Sequence, residues 1–279
     1  MIVNNKWVKI IDNKGTFDIT QEISRIQYLD FVEDDVQIST NTTEIKGTDG
    51  VLVGTSTFQP FKLTLRFAYV GYDIKDYHLF KTRLRTIIFK RKAYYIVHSD
   101  FPGRKYAVVP ESISYEDKYG RNGEVSISFS CVKGYSESLK DTGKYSLEDG
   151  TWQFENNLLS NDEIKYKHNT SYFKIYNGSS DKIDPHVRHD LKIVINIDAP
   201  NGFKLKNITT GDVFEYKKPI KKNQTLTLQG VHPLINGERV GVDTNWKWIT
   251  LEEGFNDIEI TGADIGQNTT QWIFPFIYR

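Results

Sequence analysis

Imidazole and carboxylate crowd one stretch of this sequence, Asp181-Lys-Ile-Asp-Pro-His-Val-Arg-His-Asp190, and these are the groups that hold zinc or a similar ion. A closed site needs three or four ligands converging in space. Pro185 and the strand that follows point instead to a polar loop between strands, and His186 and His189, three apart, would face opposite sides of a strand. No metal and no cofactor is therefore expected. Trp246 and Trp248 flank Lys247 and would share one face of a strand, a layout that could stack on a sugar ring, with Trp272 as a third member. The competing expectation is that these indoles fill a sandwich core or a contact between subunits, because aromatic side chains bury the most area. Glu33-Asp-Asp35 offers paired carboxylates, the groups used in glycoside hydrolysis. Adjacent residues on a strand point apart, so this run reads as solvated. Cys131 falls at an apolar position of Val125-Ser-Ile-Ser-Phe-Ser-Cys131 and reads as a small buried hydrophobe. No Gly-x-Ser-x-Gly, His-Glu-x-x-His or phosphate-binding loop occurs, and the chain is not expected to be an enzyme.

The elements that must position these residues are mostly strands. Short strands are expected in the first forty residues, including Trp7-Val-Lys-Ile-Ile11 and Ile23-Ser-Arg-Ile-Gln-Tyr-Leu29. Residues 40–60 are polar and carry glycine, which predicts a long loop returning into a strand near Val51. Phe61-Lys-Leu-Thr-Leu-Arg-Phe-Ala-Tyr69 alternates with period two, the pattern of a strand with one face buried. After Gly71-Tyr72 the period becomes helical, with Tyr77, Phe80, Leu84 and Ile87 or Ile88 on one stripe. Asp73 is placed to cap that helix, and Lys90, Arg91 and Lys92 complement its negative end. Over residues 134–150 the strand period is lost and glycine, serine and charge appear, which places a linker at 139–150. Some eight short strands follow, from Tyr172 to Phe276, among them Trp246-Lys-Trp-Ile-Thr-Leu251, with turns such as Asn201-Gly202; they predict a β-sandwich.

The 279 residues suit one large domain or two ordinary ones, and 38% hydrophobic content with 26% charged residues excludes a disordered chain. Lys plus Arg number 36, as do Asp plus Glu. With no global field to grip phosphate backbones or anionic lipid, neither nucleic-acid specificity nor membrane insertion is expected. The start, Met-Ile-Val-Asn-Asn-Lys6, lacks the basic flank and apolar core of a signal peptide. The expected product is soluble and made in a cytoplasm.

Several phrases occur in a telling order: Lys46-Gly-Thr-Asp-Gly-Val-Leu-Val-Gly54, the Gly71-Tyr-Asp73 entry into one helix, and Phe101-Pro-Gly-Arg-Lys-Tyr106. Phe173-Lys-Ile-Tyr-Asn-Gly178, Asp184-Pro185, Leu205-Lys-Asn-Ile-Thr-Thr-Gly-Asp-Val-Phe214, Leu251-Glu-Glu-Gly-Phe-Asn256 and Trp272-Ile-Phe-Pro-Phe-Ile-Tyr278 follow. In this order the chain resembles the distal tail protein family of long-tailed bacteriophages, the siphovirus tail component proteins. The resemblance implies a mainly β protein. An N-terminal β-sandwich or barrel-like domain with one α-helix would span 1–138, and a galectin-like β-sandwich would span 151–279. It further implies a homo-oligomeric ring, commonly a hexamer, at the virion tail tip. Such a ring joins the tail-tube protein to the tail-tip protein and carries receptor-binding or baseplate proteins. On this reading Lys75, Arg83 and Lys90 on the outer side of the helix, and Gly47, Asp49 and Gly50 in the 40–54 loop, would contact neighbours. The alternative from another class is a lectin-like adhesion protein that recognises host cell-wall glycan through Trp246 and Trp248. A glycan hydrolase is a third.

Overall fold

The computed structural model describes residues 6–118, 120–146, 152, 164–262 and 264–279, and the chain divides into two units, Met1–Glu137 with Arg279 and Ser138–Tyr278. The first unit contains β1 (Val8–Asp12), β2 (Gly15–Asp18), a single helical turn α1 (Ile19–Glu22), β3 (Ile26–Glu33), β4 (Ile38–Thr43) and β5 (Leu52–Phe58). These are followed by β6 (Phe61–Val70), α2 (Ile74–Ile88), β7 (Tyr94–His98), β8 (Arg104–Lys118) and β9 (Asn122–Cys131). Seven of the strands form an antiparallel sheet in the order β2-β1-β7-β8-β9-β6-β3.

The period-two pattern of Phe61–Tyr69 settles where the core lies. Phe61, Leu63, Leu65 and Phe67 are buried, and across the ladder they face Cys131, Phe129, Ile127 and Val125 of β9, also buried. Each such side chain removed from water contributes about 1.5–3 kcal/mol before entropy is counted. Helix α2 lays its expected stripe on this layer: Tyr77, Phe80, Leu84 and Ile88 are buried. Its start is fixed by Asp73, whose carboxylate accepts from the Asp76 N–H at 2.7 Å. The Phe80 ring lies parallel to Tyr69 of β6 at 3.7 Å between centroids. Close docking of the first turn depends on Gly123, since a Cβ there would stand 2.2 Å from the Tyr77 hydroxyl. That hydroxyl donates to Asp117 on β8 at 2.7 Å. The sheet curls enough for Tyr28 of β3 to donate to Asp100, just past β7, at 2.7 Å.

Residues 40–60 depart from the expectation of a loop. β4 and β5 form a two-stranded hairpin of their own, from the Ile38/Phe58 pair to the Thr43/Leu52 pair. The connection 44–51 and the pair Gln59–Pro60 are irregular. All six residues of β4, and all of β5 except Phe58, are exposed. With neither face buried there is no alternation to read, although the threonine content suits extended backbone.

A three-residue strand β10 (Ser136–Ser138) crosses the unit boundary. Ser138 and Thr142 belong to the second unit: the Ser138 hydroxyl accepts from the Phe276 N–H at 3.0 Å, and Thr142 donates to the Trp272 carbonyl at 2.9 Å. The first residues of the expected linker are thus hydrogen-bonded within that unit, and its residues 147–150 lie outside the described ones.

The second unit holds β11 (Lys167–His168), β12 (Tyr172–Asn177), β13 (Lys192–Ile197), β14 (Phe203–Asn207) and β15 (Val213–Tyr216). It continues with β16 (Thr225–Gln229), β17 (His232–Ile235), β18 (Glu238–Arg239), β19 (Gly254–Thr261) and β20 (Asn268–Ile273). Two antiparallel sheets result, β11-β20-β13-β16-β17-β18 and β12-β19-β14-β15. Ile193, Ile195, Leu226 and Trp272 of the first and Phe173, Ile175, Leu205 and Ile258 of the second are buried. The Trp272 ring meets Phe173 edge-on at 6.2 Å. Among these apolar groups Asn207 and Asn256 are fully buried, which is tolerable only because both are paired. Asn207 donates to the Thr250 carbonyl at 2.7 Å and to the Asn256 side chain at 3.0 Å, and Asn256 donates to the Glu252 carbonyl at 2.8 Å. The Leu251–Asn256 phrase is therefore a turn closed by its last side chain. Trp246–Leu251, expected as a strand, is irregular up to Thr250, and Leu251 makes only an isolated bridge to Ile183.

Candidate functional site

The surfaces able to bind a partner in the first unit are the hairpin arm and the outer face of α2. The arm's two strands pair only with each other, so the outer edge of each leaves backbone N–H and C=O groups for another chain. Ile38, Leu52 and Val53 are exposed along it, Val53 to 72%. Gly47 and Gly50 sit in the tip at φ +88° and +79°, with exposed Asp49 between them. An isolated two-stranded hairpin is marginal in water, and apolar side chains held out on one mark an interaction surface.

On α2 the sequence-derived residues divide. Lys75 and Arg83 are exposed on the outer face, together with Ile74 and Leu79, which charge alone would not have indicated. Lys90 is occupied inside the unit: its ammonium meets Asp12 at 2.6 Å and lies 4.5 Å from the Phe17 ring centroid. This ion pair ties the chain after the helix to the β1–β2 turn and holds the Asp12 carboxyl below its ordinary range, through the hydrogen bond from Lys90 and then that from the Lys14 N–H.

The tryptophans also separate. Trp272 is fully buried on β20 and has no surface to offer a sugar, a correction to its grouping with the other two. Trp246 and Trp248 do not share a strand face. Trp246 has φ +58° and is 69% exposed. Its backbone N–H donates to the Thr244 hydroxyl at 3.2 Å, and Asn245 next to it accepts from the Glu215 N–H at 3.1 Å and donates to the Val213 carbonyl at 2.8 Å. Trp248 is half-buried, with its indole parallel to the His186 imidazole at 5.2 Å and 7°.

The Asp181–Asp190 stretch forms a capped turn. Asp184 accepts from the His186 N–H at 2.8 Å, and His189 Nδ1 lies 3.0 Å from the Lys182 carbonyl. No group of three or more possible metal ligands occurs among the described residues. Glu33 accepts from the Tyr106 hydroxyl at 3.2 Å, and Glu33, Asp34 and Asp35 are all exposed. Cys131 is fully buried and burial pushes its thiol up, as a packing residue requires.

Comparison with known families matches residues 13–131 to the phage tail protein RIFT-related domain. The first unit carries a phage tail RIFT-related domain. The arm and α2 both fall within the matched residues of this domain. Among solved structures, the Dit (gp 19.1) protein of SPP1, described as a paradigm of hub adsorption apparatus in Gram-positive infecting phages, is similar over the whole length. The TM-score is 0.68 at 12% identity, covering 97% of this chain and 99% of that one. The RIFT-related domain and the sandwich that follows thus occur together in a Dit-like fold. A chain of the phage P2 baseplate in its activated conformation with Ca matches with a TM-score of 0.45 at 9% identity, covering 97% and 98%. Comparison with curated proteins finds no match.

Proposed function

We propose that this chain is a distal tail hub protein, a structural component of a phage tail tip whose mechanism is assembly without turnover. The observation that carries the reading is the phage tail RIFT-related match over residues 13–131 inside a chain whose entire length has the fold of SPP1 Dit. The RIFT-related unit closes a ring, a hexamer, by placing the β4–β5 arm and the outer face of α2 against neighbouring copies. That ring sits between the tail-tube protein and the tail-tip protein. The sandwich supports receptor-binding or baseplate proteins. Lys75, Arg83, Gly47, Asp49 and Gly50 belong to the contact surface, with Ile74, Leu79, Leu52 and Val53 as its apolar part. A head-to-tail contact of this kind forms a closed ring when its rotation closes, and 36 positive against 36 negative side chains suit local complementary patches.

The test is light scattering of the full-length protein over a concentration series, with negative-stain images of the same fractions. About six times the chain mass and a particle with a central opening are expected. A monomer at every concentration, unchanged when tail-tube protein is added, would overturn the reading.

A further inference from the structure

The second unit has a cleft that the hub reading does not use. It is about 510 Å³ in volume and includes Lys182, Asp184, Asp212, Asn245, Lys247 and Trp248 in its lining, a size that holds one or two rings of a small ligand. We propose that this cleft binds a neutral saccharide, with the sugar ring stacked on Trp248. Three features of the lining select that chemistry.

The first is the indole, already oriented by the parallel His186 ring. A flat aromatic face meets the C–H face of a pyranose as it meets any apolar ring. The second is hydrogen-bonding capacity left over after the fold is satisfied. Asp212 accepts from the Thr210 hydroxyl and from the Thr250 N–H and hydroxyl, all at Oδ2, and Oδ1 takes no hydrogen bond among the described residues. Asp184 uses Oδ1 to cap the His186 N–H, leaving Oδ2. The Lys247 ammonium is exposed and makes no hydrogen bond or ion pair among the described residues. Two fixed acceptors and one donor beside an aromatic ring suit neighbouring hydroxyl groups, which donate and accept from adjacent carbons. The third is charge. Lys182 is taken up by Glu252 at 2.8 Å, and Lys247 stands with two aspartates in the lining, so a phosphate is not favoured, while carboxylate acceptors beside one ammonium donor suit the hydroxyl groups of a neutral ligand.

A protein partner would need an apolar anchor, and Val213 is the one aliphatic side chain in the lining. The sequence pattern concealed the site because residues 245–250 are not a strand. Asn245 and Thr244 hold that segment irregular, which places Trp248 in the cleft and leaves Trp246 outside it.

Saturation-transfer NMR on the full-length protein, with the methyl glycosides of glucose, galactose, mannose and N-acetylglucosamine as probes, tests the proposal. At least one glycoside is expected to receive saturation and to bind in the millimolar range. Trp248→Ala is expected to weaken that binding about tenfold or more. Lys247→Ala, an exposed change that does not endanger folding, is expected to weaken it severalfold, and Trp246→Ala to leave it unchanged. No transfer to any probe overturns the proposal and leaves the cleft to a protein partner. Binding that survives both Trp248→Ala and Lys247→Ala also overturns it. Ring formation is a separate readout, so a protein that closes a ring without binding sugar, or binds sugar without closing a ring, tells the two readings apart.

Discussion

His98 shows how a single side chain sets a condition for stability. It is fully buried on β7 among the rings of Tyr28, Phe31, Phe101 and Tyr106, and its Nε2 has no hydrogen-bond partner among the described residues. Burial lowers its pKa from 6.5 to about 4, against the pull of Asp100 3.9 Å away. Above pH 6.5 the imidazole is neutral in both folded and unfolded chains and contributes no pH dependence. As pH falls from 6.5 to 4, the unfolded chain takes up a proton that the folded chain refuses. Stability therefore falls through that window, by up to about 3 kcal/mol, and the difference stays constant below it. His98→Phe is expected to remove this component. Calorimetric melting of the first unit from pH 7.5 to 4 checks it, and a variant whose melting temperature falls as steeply as the parent's would refute the assignment. The period-two pattern marks Cys131 as buried, and it is. Nothing in Tyr94-Tyr-Ile-Val-His98 marks the histidine as buried, because its shell comes from β3, β8 and the turn after β7.

At the scale of elements, α2 and the arm stand at opposite ends of legibility. The helix has a capping aspartate and a buried stripe, both local signals, whereas Lys90–Lys92 lie past its end at Ile88. The arm has none, since its strands bury neither face. It is also expected to be dispensable to the unit that carries it, since Ile38–Thr43 and Leu52–Thr57 are all exposed. Replacing residues 40–56 by Asn-Gly keeps the Ser39/Thr57 and Ile38/Phe58 pairs and supplies a turn those pairs accept. The first unit is expected to melt within about 2 °C of the parent, as surface changes do, while the proposed ring is expected to be lost in light scattering. An intact ring in this variant would remove the arm from the interface.

For the whole molecule, the proposed hub reading assigns assembly to the first unit and display to the second. A fragment spanning Ser138–Tyr278 is expected to stay monomeric at concentrations where the full chain closes a ring, because the arm and α2 belong to the other unit. A ring formed by the fragment alone, seen by the same light scattering, would move the interface to the sandwich. Strand alternation, the Asp73 cap and the helical stripe were written in the sequence, because backbone period and local hydrogen bonding act over a few residues. They determined a mainly β chain with one long helix, and the order of its phrases pointed to the phage tail family. Tertiary structure alone decided which tryptophan is core, which is exposed and which lines a cleft. It also decided that Lys90 is paired with Asp12 78 residues away, and that a polar stretch forms an arm. Burial and pairing of that kind depend on which distant elements arrive at the same place, and no local pattern records it.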